Sequence, residues 1–173
     1  MMAPGGVSLV WPVGEPASER VGTGLPAGWS IAIGFDKDYW LGVHTGLDIT
    51  KPGESDYGAA VYAVADGTVT HAGKLPGTWG NVVLIHHPAL GLWSQYAHLA
   101  EIGVSAGQRV TQGQGIGTVG NADGQLSAHL HFELRREDKP AGFWPSGAQR
   151  SQSAATHAVV RRVYVDPWGR LGA

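Results

Sequence analysis

Four histidines and one aspartate hold the chemistry open to this 173-residue chain: His44, Asp48, His98, His129 and His131. His129 and His131 stand two apart in SAHLHFEL (127–134). Successive side chains of a strand point to opposite faces, so residues i and i+2 share one. A strand here turns both imidazoles toward a cleft or solvent and leaves Leu130, Phe132 and Leu134 as the buried side. In GVHTGLDIT (42–50), His44 and Asp48 are four apart, which keeps parity in an extended chain, and Gly46 between Thr45 and Ile49 favours that conformation. Imidazole with a hard carboxylate suits Zn²⁺. His98 ends a third strand-like run, SQYAHL (94–99). A catalytic zinc takes three protein ligands and keeps one position for water, whose pKa it lowers to about 7. Hydrolysis also needs a proton carrier and a donor for the developing oxyanion. Three ligands and two spare imidazoles make that inventory, but the count alone does not say which histidine does which job.

Short β-branched or aromatic runs must position these groups. They are read at 7–13, 29–35, 46–50, 59–65, 67–73, 81–87, 92–99, 108–110, 116–120, 129–135 and 162–167. Turn signals such as Asp66-Gly67, Gln112-Gly113 and Asp123-Gly124 punctuate them. Many short strands at close spacing predict an all-β, antiparallel domain. Residues 137–158, polar and small with Pro140 and Pro145, show neither period and are expected as a long inserted loop, mobile and close to the metal. Its Phe143 and Trp144 are expected to pack at the groove edge. The expected organisation is one catalytic domain over 1–173, with a core at about 29–136, the insertion 137–158 and a closing strand at 159–168. Formal net charge is −2 with no basic block, which argues against nucleic-acid partners. The absence of cysteine removes disulfides and thiolate ligands. The first residues show no signal peptide or membrane anchor.

These motifs together resemble the lysostaphin-type (LytM-like) zinc metallopeptidases, which cut peptide cross-links in bacterial cell walls. HTGLDIT (44–50) resembles the family's HxGxDI, VYAVADGTVTHAG (61–73) its VxAxxDGxV hairpin, and WGNVVLIHH (79–87) its GxxVxIxH strand. QYAHL resembles YxHL, VSAGQRVTQGQGIGTVG (104–120) resembles VxxGxxVxxGQxIGxxG, SAHLHFEL resembles GxHLHFE, and VYVDPWGRL (163–171) resembles the closing VDPxxYL. The resemblance implies a compact barrel-sandwich-like domain with long groove-lining loops. It implies Zn²⁺ held by His44, Asp48 and His131, with His98 and His129 as acid/base and transition-state groups. It implies a monomeric enzyme acting on peptidoglycan stem or bridge peptides, without membrane insertion. Such a chain would reach the wall as a phage endolysin or virion lysin, or as the mature domain of a secreted enzyme.

Departures fall in the loops. IGFDKDYWLG (33–42) lacks the arginine usual before the first histidine, Ser127-Ala128 replaces a common glycine, and the 51–64 link is long. They bear on substrate preference and not on metal chemistry. The alternative is a catalytically silent module that binds wall or partner; retention of all three ligands argues against it. A lipoyl- or biotinyl-type carrier would need a lysine at a hairpin tip, and Lys74 lacks that context. His71, His86, His87 and His157 are expected in structural or surface roles.

Overall fold

The computed structural model describes residues 8–53, 55–145 and 150–172. Thirteen strands form: β1 (Ser30–Ile33), β2 (Asp38–Tyr39), β3 (Gly42–Val43), β4 (Leu47–Thr50), β5 (Ala60–Tyr62), β6 (Gly67–Leu75), β7 (Gly80–His87), β8 (Leu92–Leu99), β9 (Glu101–Ile102), β10 (Arg109–Val110), β11 (Gly115–Thr118), β12 (Leu130–Arg135) and β13 (Tyr164–Val165). The largest sheet has the order β1-β4-β12-β8-β7-β6-β10, with β13 paired to β12 beyond β4. β5-β11-β9 make a second sheet and β2-β3 a ribbon, and every pairing is antiparallel. The all-β expectation holds, in a sandwich-like form. The ends of the large sheet, β1 and β10, do not pair, so there is no closed barrel.

Alternation explains the core. Leu130, Phe132 and Leu134 of β12 are all 0% exposed and join Ile85 and Tyr96 from the large sheet and Val61 and Ile116 from the small one. The opposite face of β12 is closed as well. His131, Glu133 and Arg135 alternate with the apolar set and are also buried, because residues 139–145 fold back over them. Arg135 Nη1 donates to the carbonyls of Lys139 (3.1 Å) and Pro140 (3.0 Å), and Gly142 N–H donates to Gln95 Oε1 (2.9 Å).

The C-terminal region corrects the expectation of an inserted loop over 137–158 and a closing strand over 159–168. Ala154–Val163 is an α-helix, α1, and the strand is only Tyr164–Val165. Ser153 caps α1, its Oγ accepting from Thr156 N–H at 3.2 Å. Thr156, Val160 and Val163 form its buried stripe, with Val160 and Val163 packed on Val43 and Tyr164. Arg161 Nε donates to Asp36 Oδ2 (2.6 Å), and His157 bridges Asp36 and Asp38 at 2.7 and 2.9 Å, tying α1 to the turn before β2. The apolar residues that earn burial are β-branched valines, which favour strands by propensity and here adopt helix under tertiary contacts. The run at 7–13 is also not a strand over its described part. Leu9 makes one bridge to Leu171, while Trp11 and Val13 are buried in the core.

Candidate active site

Three neighbouring strands of the large sheet bring the five residues together. Asp48 on β4 is paired directly with His131 on β12, and His131 pairs on its other side with Ala97 of β8, next to His98. Gly46 lies where β4 approaches β12 so closely that a Cβ would collide with the carbonyl oxygen of Phe132. That contact explains glycine between His44 and Asp48. His98 sits at φ 64°, a left-handed conformation, where an irregularity opposite Asn81–Val83 disturbs the β7–β8 register. Asn81 Nδ2 donates to the carbonyls of Leu99 (3.1 Å) and Ala100 (3.0 Å) just beyond, fixing the bend that aims the His98 ring at the site.

His44 Nε2 lies 3.0 Å from Asp48 Oδ1 and 3.1 Å from His131 Nδ1, and His131 Nδ1 lies 2.8 Å from Asp48 Oδ1, closing a triangle. The remaining ring nitrogens are occupied. His44 Nδ1 donates to Gly34 O (3.0 Å), and His131 Nε2 donates to Glu133 Oε1 (2.9 Å). The three inward atoms are then all acceptors, and their approach is repulsive unless a cation or a proton lies among them. Zinc bonds of 2.0–2.1 Å in tetrahedral geometry separate ligand atoms by about 3.3 Å, so the triangle needs only a few tenths of an ångström of expansion. A carbonyl or carboxylate holding the far nitrogen of each ligating imidazole is the usual support for such a site. The donor set fits Zn²⁺.

The electrostatics agree. Burial would raise the Asp48 carboxyl, but the His131 and His44 imidazoles against it hold it well below the usual carboxylate range. Burial would lower His131, yet Asp48 and Glu133 on either side push it up to about 9, so a proton can fill the place a cation would take. Burial would raise Glu133, but Arg135 foremost, with His131 and Thr45, brings it to about 2. Beneath the triangle, Arg135 donates to Glu133 Oε2 through Nε (3.0 Å) and Nη2 (2.9 Å). Gln95 adds 3.1 Å to the same oxygen, and Thr45 Oγ1 donates to Oε1 at 2.5 Å.

His98 and His129 are outside the triangle but beside it, with ring centroids 4.7 Å apart. His98 Nδ1 donates to Trp79 O (3.2 Å) and His129 Nδ1 to Ser127 O (2.8 Å), leaving each Nε2 with a lone pair. His129 Nε2 is 3.7 Å from Asp48 Oδ1. Burial, with His131 and His129 nearby, pushes His98 down to about 3, so its ring is neutral. All five residues line a groove of about 720 Å³ whose walls include Tyr39, Trp40, Trp79 and Trp144. Tyr39 stands edge-on to His44 (5.0 Å), and Trp144 meets Tyr39 (6.1 Å) and Trp79 (6.0 Å).

The structure thus brings together every residue expected at the site. Trp144 lines the groove as expected, whereas Phe143 packs on the α1 cluster. Sequence reasoning missed Glu133, Arg135, Gln95 and Thr45. Parity would have found the first two, since 131, 133 and 135 share a face by the rule that pairs 129 with 131. The other histidines are elsewhere. His86 stacks on Trp93 (4.4 Å), His71 bonds to Gly73 O (3.3 Å), and His87 is buried away from the groove.

Comparison with known proteins agrees with this geometry. Residues 42–142 match the model of Peptidase family M23. The chain is 42% identical over 90 residues to the cell division protein DipM of Caulobacter vibrioides, covering 52% of this chain and 14% of DipM. It is 37% identical over 118 residues to the peptidoglycan DD-endopeptidase ShyA of Vibrio cholerae, covering 65% of this chain and 26% of ShyA. A zinc-containing peptidase from Vibrio cholerae superposes with a TM-score of 0.56 at 31% identity, over 74% of this chain and 36% of that one. The chain spans about a quarter or less of these curated relatives.

Proposed function

This chain belongs to peptidase family M23, and from that premise we propose that it is a zinc-dependent endopeptidase hydrolysing peptide cross-links of bacterial peptidoglycan. One observation carries the reading: three acceptor atoms, from His44, Asp48 and His131, converge on a single point with the outer nitrogens of both imidazoles held from behind. Zinc at that point would supply a Lewis acid for the scissile carbonyl and a source of hydroxide near neutral pH.

The chain's own residues do the rest. His44, Asp48 and His131 would hold the metal, with Gly34 O and Glu133 setting the tautomer of each imidazole. His98 and His129 present bare Nε2 atoms on the open side of the triangle. One accepts the proton of the attacking water and returns it to the leaving amine. The other, with a proton taken up from solvent at its Nε2, donates to the oxyanion. The aromatic walls exclude water and grip an extended peptide. ShyA, whose name describes a peptidoglycan DD-endopeptidase, supports peptide cross-links as the substrate.

A silent wall- or partner-binding module is the rival, favoured by the likeness to a cell division protein. The intact ligand triangle and both flanking histidines weigh against it. The test is purified protein stripped by chelator, reloaded with zinc and incubated with walls of differing cross-link chemistry, the products being identified by mass spectrometry. New amino termini that appear only with zinc support the enzyme; zinc binding without any cleaved cross-link supports the rival. Turbidity loss of intact cells exposed from outside tests the endolysin expectation.

A further inference from the structure

We infer that Arg150, stacked on Trp40 at the groove rim, forms a subsite for a free carboxylate of the peptide substrate. This rests on the endopeptidase reading and extends it to the substrate's charge. Among the described residues lining the groove, only Asp48 and Arg150 carry a permanent charge, and Asp48 belongs to the metal triangle. Arg150 is therefore the one fixed cation facing the space a substrate fills. The groove walls include the apolar Ile33, Leu41, Trp40 and Trp144. The guanidinium carbon lies over the Trp40 ring, 5.6 Å from its centre, within cation–π reach, and the planar fork can offer two parallel bonds to a carboxylate. Arg20, Arg135, Arg161 and Arg162 are each committed to a carboxylate of the protein; Arg150 has none among the described residues.

Position gives the subsite a place along the peptide. Trp40, itself 60% exposed, touches Tyr39 (6.4 Å), and Tyr39 touches the ligand His44 (5.0 Å). Two aromatic rings separate Arg150 from the metal ligands, so the carboxylate it meets lies a few residues from the scissile bond of an extended chain. Cross-links made through diaminopimelate carry free carboxylates there. Oligoglycine bridges do not.

The test compares a D-alanyl-diaminopimelate-linked peptide dimer with the same dimer amidated at its free carboxylates, using zinc-loaded full-length protein. Arg150→Ala should lower kcat/KM for the free dimer roughly threefold to fivefold, through KM, the scale of a partly exposed ion pair made equally in ground and transition states. Arg150→Glu should lose more and Arg150→Lys less. The amidated dimer should change less than twofold. Equal losses on both dimers, or no loss on either, overturn the proposal. If the wild-type protein cleaves neither dimer, the endopeptidase reading fails separately, and affinities measured by tryptophan fluorescence decide instead. Weaker binding of the free dimer alone to Arg150→Ala supports the subsite, and undetectable binding overturns it. A loss confined to poly(glycerol phosphate), with the peptide unaffected, assigns the arginine to phosphate polymers and also overturns it.

Discussion

Two buried histidine clusters lie on the same large sheet and have opposite characters. At one, His87 Nδ1 bonds to Asp66 O (2.8 Å) and Nε2 to Ser94 Oγ (2.7 Å). Ser94 Oγ–H meets the bare Nε2, so Tyr96 Oη donates to Ser94 Oγ (3.0 Å) and accepts from Val64 N–H (3.0 Å). Polar atoms meet complementary partners in sequence, and the cluster closes on itself. At the other, His44, Asp48 and His131 turn like atoms toward one point and are supported only from behind. Burial is nearly the same, with His87 at 0%, His44 at 1% and His131 at 4% exposed. Direction separates a histidine that holds a fold together from one placed where it could hold an ion.

The sharpest way to break this contrast is to remove a converging atom. His44→Ala, Asp48→Ala or His131→Ala should reduce bound zinc from about one per chain to near none and bring hydrolysis to background, as chelation should in the unmodified protein. Metal analysis alongside activity checks this; full activity in a zinc-free variant removes the basis of the comparison. His98→Ala and His129→Ala come next, each costing roughly 10²-fold or more in rate, the scale of a lost acid/base group. Zinc content should stay near one. A His129→Ala protein that loses zinc while His131→Ala keeps it would show that the two roles are reversed.

The support from behind can be weakened without touching a ligand. Glu133→Gln keeps the shape but removes the charge that receives His131 Nε2–H and pairs with Arg135. Loss of an outer partner typically costs 10- to 100-fold in metal affinity, and the unpaired Arg135, 0% exposed, should destabilise the fold by about 3–5 kcal/mol. Zinc titration and denaturant unfolding read the two effects separately. An unchanged zinc affinity would make Glu133 a purely structural partner.

How far the sequence revealed this depends on the range of the interaction. Parity along one strand placed Leu130, Phe132 and Leu134 inside and set His129 and His131 together, because alternation is local. The HTGLD spacing carried His44 and Asp48 in the same way. Parity reaches Glu133 and Arg135, but their bonds to Gln95 and to the 139–142 backbone were not legible, since they depend on β12 pairing with β8 and on residues 139–142 closing over the far face. α1 was missed because Val159, Val160 and Val163 carry strand propensity, and the ties from His157 and Arg161 to Asp36 span more than a hundred residues. The resemblance linked motifs that local physics left separate.

The smallest expected effect comes from the closed cluster, and it probes the comparison from its other side. His87→Gln should leave zinc content and hydrolysis unchanged, since no bond from His87 reaches the groove. Its effect belongs to stability and to pH. Burial foremost depresses the His87 pKa below its ordinary 6.5, outweighing the hydrogen bond to Asp66 O. A histidine depressed in the folded state binds its proton more readily when unfolded. Its contribution is therefore fully present above pH 6.5 and declines as pH falls toward the lowered folded value. Near pH 8, His87→Gln should cost about 1 kcal/mol for each imidazole hydrogen bond the amide fails to replace. Toward pH 5 the gap should narrow, because glutamine has no proton to take up. Urea unfolding of both proteins at pH 8, 6.5 and 5.5 measures this. A widening gap at low pH, or loss of zinc at any pH, would mean that His87 is coupled to the metal triangle and that the two clusters are not independent.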